Sequence, residues 1–139
     1  LENTEEIRTV LQTVKTIAVV GASANPSRPS FGVMRFLLDK GYRVIPVNPG
    51  HAGQQIHGQQ VYARLADIDT QIDMVDVFRA ADQLPALVDE ILALPQRPKV
   101  LWGQLSVRHD AAAQATADTR VLVVAAVRAL RSIYKPGYR

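Results

Sequence analysis

The sequence predicts an α/β fold: a doubly wound parallel sheet of five strands, in the order 3-2-1-4-5, with helices on both faces. Three observations predict it. Five short apolar runs recur along the 139 residues. The runs are largely apolar at neighbouring positions, as in strands buried on both faces, rather than alternating as a half-exposed strand does. Between the runs lie stretches with the three-and-four spacing of a helix, so strands and helices alternate and the strands are joined by crossovers. A chain of this length makes one domain, expected over 1–139.

The elements follow in order. Ile7, Val10, Leu11 and Val14 fall on one helical face, and Asn3 followed by Glu6 fits an N-cap. The run TIAVV (16–20) is strand 1, and GASANPSRPS (21–30) is its exit loop. Val33, Met34, Leu37 and Leu38 mark a second helix that Gly41 ends. YRVIPV (42–47) is strand 2, with NPGHAG leaving it. The stretch 51–70 reads as irregular, with one helical turn near 61–65. IDMVDVF (72–78) is strand 3, and Leu84, Leu87, Val88, Ile91 and Leu92 form a third helix that Pro95 and Pro98 punctuate. KVLWGQL (99–105) is strand 4, HDAAAQATADT (109–119) is an alanine-rich helix, and VLVVAAV (121–127) is strand 5.

Composition excludes several classes. Apolar residues make up 47% and charged residues 21%, enough apolar material for a packed core. No apolar run has the length of a membrane span, and the first ten residues lack the pattern of a signal peptide, so a cytoplasmic location is expected. Without cysteine there is no disulfide, thiolate nucleophile or cysteine-held metal. The net charge is +3, but Arg120, Arg128, Arg131, Lys135 and Arg139 all follow the last acidic residue, Asp118. Without these five cations, eleven basic residues face thirteen acidic ones, a balance of −2. The body is therefore not a nucleic-acid binder, and the basic character belongs to the tail.

In a doubly wound sheet, ligands sit beyond the carboxyl ends of the strands at the switch point, here expected between strands 1 and 4. That edge gathers the loops at 21–30, 48–53, 78–81 and 104–108. A small residue suits any strand-to-helix turn, so Gly21 alone says little. With Ser23, Arg28 and Ser30 in the same loop, the reading favours an anion. Gly21, Ala22 and Ser23 are expected to offer amides and a hydroxyl to phosphate oxygens beside a helix N-terminus, and Arg28 a fork-shaped cation. The pattern G-x-G-x-x-G is not met, and strand 2 ends in Val47, Asn48 and Pro49, with no carboxylate for a ribose. Asn48 is either a turn residue or an edge for a purine or ribose. Phe78 is a packing residue or a ligand contact. Arg79 is a phosphate contact or a solvated helix start.

No catalytic constellation stands out. Ser23 has no assigned base, and His51, His57 and His109 have no spacing that suggests a metal site. The expectation is a ligand-binding protein with no catalytic residues and no metal.

The segments TIAVVGASANPSRPSFGVMRFLLDKGYRVIPVNP, VDVFR and LWGQLSVRHDAAA resemble the small bacterial and archaeal CoA-binding proteins of the YccU-like family. These are similar to the CoA-binding domain of the succinyl-CoA synthetase α subunit. The resemblance covers roughly 5–124 and rests on V-G-A-S-x-x-P-x-R-P-S, G-Y-x-V-x-P-V-N-P and D-V-F-R. It implies a Rossmann-like domain that holds coenzyme A, or an acyl-CoA, by its nucleotide end. Carried over by position, Gly21, Ala22, Ser23, Pro26 and Arg28 lie along the pyrophosphate and 3′-phosphate. Val47, Asn48 and Pro49 border the adenosine, and Phe78 and Arg79 border the ligand at the switch point, with Gln104 nearby. The chain departs from the family pattern at Ser106, where glycine is usual, and after strand 5, where a Cys and a Glu are replaced by AAVRALRSIYKPGYR. Residues 125–139 are thus a divergent basic segment.

The partner implied is a CoA-type small molecule, with no nucleic acid and no membrane. A homodimer through a sheet edge is compatible with the pattern. Two rival readings remain: an NAD(P)-type oxidoreductase module, and a protein-interaction module related to an acyl-CoA synthetase subunit.

Overall fold

The computed structural model describes residues 4–103 and 122–124. Strands β1 (Thr16–Val20), β2 (Arg43–Val47), β5 (Met74–Val77), β6 (Val100–Gly103) and β7 (Leu122–Val124) form one parallel sheet in the order β2-β1-β5-β6-β7. Between β2 and β5 lies a two-stranded antiparallel ribbon of β3 (Gln55–Ile56) and β4 (Gln59–Gln60). The helices are α1 (Thr4–Thr13), α2 (Pro29–Asp39) and α3 (Leu84–Leu92).

The helices cover both faces, as expected. Val10, Leu11 and Val14 at α1 and Val33, Met34 and Leu37 of α2 meet Ile17, Val19, Val44, Met74 and Trp102 on one face. Leu84, Leu87, Val88 and Ile91 of α3 meet Ala18, Val20, Val75, Val77 and Leu101 on the other. All five residues of β1 are buried. Gly41 (φ +93) ends α2: its amide donates to the Leu38 carbonyl at 3.0 Å and the Tyr42 amide to the Leu37 carbonyl at 3.2 Å. That pair of bonds is a Schellman motif, which favours glycine at this place.

The strand order corrects the sequence expectation. Counting the five predicted strands along the chain, the order is 2-1-3-4-5, not 3-2-1-4-5. The third strand crosses to the far side of the first, so β2 is left at the rim. Pro46 supplies the reason. Arg43 and Val47 bond toward β1, through the Arg43 amide to Lys15 and the Val47 carbonyl to Gly21, each at 2.9 Å. Pro46 therefore faces the opposite way, and its missing N–H lies on the outer edge. A central strand bonded on both sides would lose a ladder bond at that residue. Among the described residues the outer edge is met by an isolated bridge from Val47 to Tyr62, whose amide donates to the Pro46 carbonyl at 2.9 Å. With this order the switch point lies between β1 and β5, not between strands 1 and 4.

The expected irregular stretch contains more order than the sequence suggested. A 3-10 turn at Pro49–His51 leads into the ribbon, and another at Leu65–Asp67 follows it. Ile56 and Val61 enter the α2-side core, and Leu65 enters the α3-side core. The helix expected at 109–119 lies outside the described residues.

Candidate functional site

Three strand exits converge on Gly21. Its φ is +86°, a conformation open mainly to glycine. A Cβ there would come within 3.0 Å of the Phe78 carbonyl oxygen and 3.1 Å of Arg79 Cγ, so the exit of β5 lies hard against it. From the other side the Gly21 and Ala22 amides both donate to the Val47 carbonyl, at 2.9 and 3.4 Å. This corrects one expectation from sequence. The amides of Gly21 and Ala22 serve the junction of β1 with β2 and are not turned out as an anion cradle.

The rest of the loop is largely bonded to itself. The Ser23 amide donates to Ser30 Oγ at 3.0 Å, and the Asn25 amide to Ser23 Oγ at 3.1 Å. Asn25 Oδ1 accepts from both the amide and the hydroxyl of Ser27, at 3.0 and 2.8 Å. The Arg28 amide donates to the Asn25 carbonyl at 3.0 Å. The amides of Ala24 and Ser30 meet no acceptor among the described residues. Ser30 belongs to the first turn of α2. Arg28 occupies the N-cap of that helix, with extended backbone and no side-chain cap bond, and Pro29 follows it. The helix start therefore keeps free donor capacity and a positive dipole end beside an exposed guanidinium.

Asn48 resolves toward its turn reading. Its Nδ2 donates to the Ala22 carbonyl at 2.8 Å, and its Oδ1 accepts from the Gly50 amide at 3.0 Å. The side chain thus latches the exit of β2 to the loop after β1. Asn48→Ala is expected to cost about 1–2 kcal/mol, the worth of a lost cap and an orphaned carbonyl. Urea unfolding measures it, and an unchanged midpoint would refute the latch.

The other expected site residues distribute as follows. Val47 is buried, Pro49 exposed, and Phe78 and Arg79 half-buried at the β5 exit. Pro26 is exposed in the loop. Gln104 lies outside the described residues. Sequence reasoning missed a contact from the ribbon. His57 Nε2 lies 2.8 Å from the Phe31 carbonyl, and the two rings are in contact, centroids 4.0 Å apart and planes tilted by 40°. The readable signal was Ile-His-Gly-Gln, a glycine-bearing pair between short flanks.

A cavity of about 460 Å³ opens at the opposite, amino edge, and Lys15, Lys40 and Arg43 are among its lining residues. It lies where α1 and α2 end. Topology, rather than cavity size, selects the carboxyl edge. Among the described residues no group of three His, Cys, Asp or Glu is arranged for a metal, and no helix is long and apolar enough to cross a membrane.

The model of the CoA binding domain family matches residues 15–128. The chain belongs to this family. YneT, an uncharacterized protein of Bacillus subtilis, is 39% identical over 109 residues, which cover 78% of each chain. The α subunit of the ADP-forming acetate–CoA ligase I of Pyrococcus furiosus is 31% identical over 80 residues, 55% of this chain. That match spans only 17% of the ligase subunit. Among solved structures, cell-free ID.343 from Thermus thermophilus superposes with a TM-score of 0.83 at 41% identity, covering 88% of this chain and 90% of that one. The PH1109 protein redesigned for binding gives 0.89 at 31% identity, covering 99% and 94%. The family resemblance read from the three motifs therefore holds.

Proposed function

We propose that this CoA binding domain holds CoA, or an acyl-CoA, by its nucleotide end at the carboxyl edge of the sheet and catalyses no reaction of its own. The observation that carries the reading is the start of α2. An uncapped helix N-terminus with Arg28 at its N-cap, and the spare amides of Ala24 and Ser30, belong to the one segment that leaves β1 and starts α2. Phosphates of the nucleotide end supply the oxygens this turn lacks. Ser23 and Ser30 brace the loop, and Pro26 shapes its outer bend. Val47, Asn48 and Pro49 border the adenosine, with Asn48 acting as the latch of that wall. Phe78, Arg79 and Gln104 border the ligand across the switch point, and Gly21 and Ala22 form its floor.

Calorimetric titration with CoA, dephospho-CoA and NAD tests the reading. CoA is expected to bind with a Kd on the order of micromolar, weakening as salt rises, because phosphate contacts dominate. Dephospho-CoA is expected to bind more weakly than CoA, and NAD to be silent. Silence toward CoA, or binding of NAD equal to that of CoA, overturns it. The match to a ligase subunit favours a second reading, a module that docks on a partner protein. Silence toward all three ligands, with capture of a partner that depends on residues 125–139, would favour that reading.

A further inference from the structure

We propose that His57 is a positioning residue for the CoA site, acting through the first turn of α2. The inference rests on the reading above and names what holds that site in shape. His57 and Gly58 are the two central residues of the β3–β4 ribbon turn, and both have positive φ, +51° and +78°. Asn-Gly is a preferred pair for such a turn, and histidine, like asparagine, enters the left-handed region more readily than most residues. The imidazole adds two contacts beyond the turn: the 2.8 Å bond from Nε2 to the Phe31 carbonyl and a tilted ring contact with Phe31. Since the Phe31 carbonyl only accepts, Nε2 is the donor.

Phe31 is where this matters. It lies between Ser30, whose Oγ holds the Ser23 amide, and the stretch of α2 buried against β1. Its own amide donates to the Arg28 carbonyl at 3.1 Å. The turn has no side-chain cap. Among the described residues, and apart from its own backbone, the polar tethers on this turn are Ser23 to Ser30 and His57 to Phe31. An uncapped first turn frays readily, and fraying spreads the positions of Arg28 and the Ser30 amide. Ordering them again on binding lowers affinity.

Two variants separate positioning from mere support. His57→Asn suits the positive φ but is too short to reach Phe31. His57→Gln places an amide donor near the position of Nε2. In calorimetry with CoA, His57→Asn is expected to bind roughly fivefold to tenfold more weakly while melting no lower than wild type, and His57→Gln to recover to within about twofold. Wild-type affinity in folded His57→Asn overturns the inference, as does a folded His57→Gln that recovers nothing. Should the wild-type protein ignore CoA, the binding reading falls and the tether is still tested by hydrogen exchange without ligand. His57→Asn is expected to speed exchange at the Ser23 and Phe31 amides, and unchanged exchange there overturns the tether.

Discussion

Gly21→Ala is expected to destabilise the domain by about 2–5 kcal/mol, a large share of the roughly 5–15 kcal/mol that holds a domain folded. Two separate costs combine. The backbone at φ +86° disfavours any side chain, and the new Cβ would lie 3.0 Å from the Phe78 carbonyl oxygen. That oxygen belongs to backbone that cannot easily retreat, since the Phe78 amide is tied to the Val20 carbonyl at 2.8 Å. Moving Phe78 away stretches the contact of β5 with β1 at the switch point. A drop in melting temperature of roughly 8–20 °C is expected. Gly32→Ala serves as the control, because it lies within α2 with open space around it and no positive φ. There the same substitution is expected to stabilise by about 0.5–1 kcal/mol. Equal effects at the two positions would refute the steric account.

The contrast between these glycines marks where the sequence stopped being informative. Local chemistry was readable. TIAVV announced a strand buried on both faces, the spacing of Leu84, Leu87, Val88 and Ile91 announced the buried stripe of α3, and Gly41 announced the end of α2. Strand order is a longer-range property. Both common doubly wound orders produce the same alternation of strands and helices, so periodicity cannot choose between them. The cue that does choose is Pro46, and it has meaning only once it is known which way each peptide of β2 faces. The capture of the Gly21 and Ala22 amides by the Val47 carbonyl joins residues 26 and 25 positions apart. Nothing in GASANPSRPS records that an acceptor waits there. That the chain leaves β1 as a loop ahead of α2 was legible. Which amides of that loop stay free was not.

Arg28→Asp is expected to move stability and affinity in opposite directions, and that opposition is its value. An N-cap favours a short side chain with an acceptor oxygen, and a helix N-terminus favours negative charge. Arg28 offers neither, and α2 has no acidic residue in its first turn. Among the described residues Arg28 has no ion-pair partner. For folding alone, arginine is a poor choice at this position. An aspartate has the length to accept from the free Ser30 amide, so Arg28→Asp is expected to stabilise by about 1 kcal/mol, roughly 3–5 °C in melting temperature. If the proposed site is right, the same substitution removes a charge-assisted contact to the ligand and fills the turn with the protein's own anion. CoA affinity is expected to fall at least about 10–100-fold. The salt dependence of whatever binding remains is expected to flatten, since fewer phosphate contacts are left to screen. A residue that violates the capping rule without a local gain points to a demand from outside the fold, and the proposed reading makes that demand a phosphate. If Arg28→Asp melted higher and bound CoA as the wild type does, the anion would have to sit elsewhere. If it melted lower, the turn at α2 would be held by something other than its missing cap.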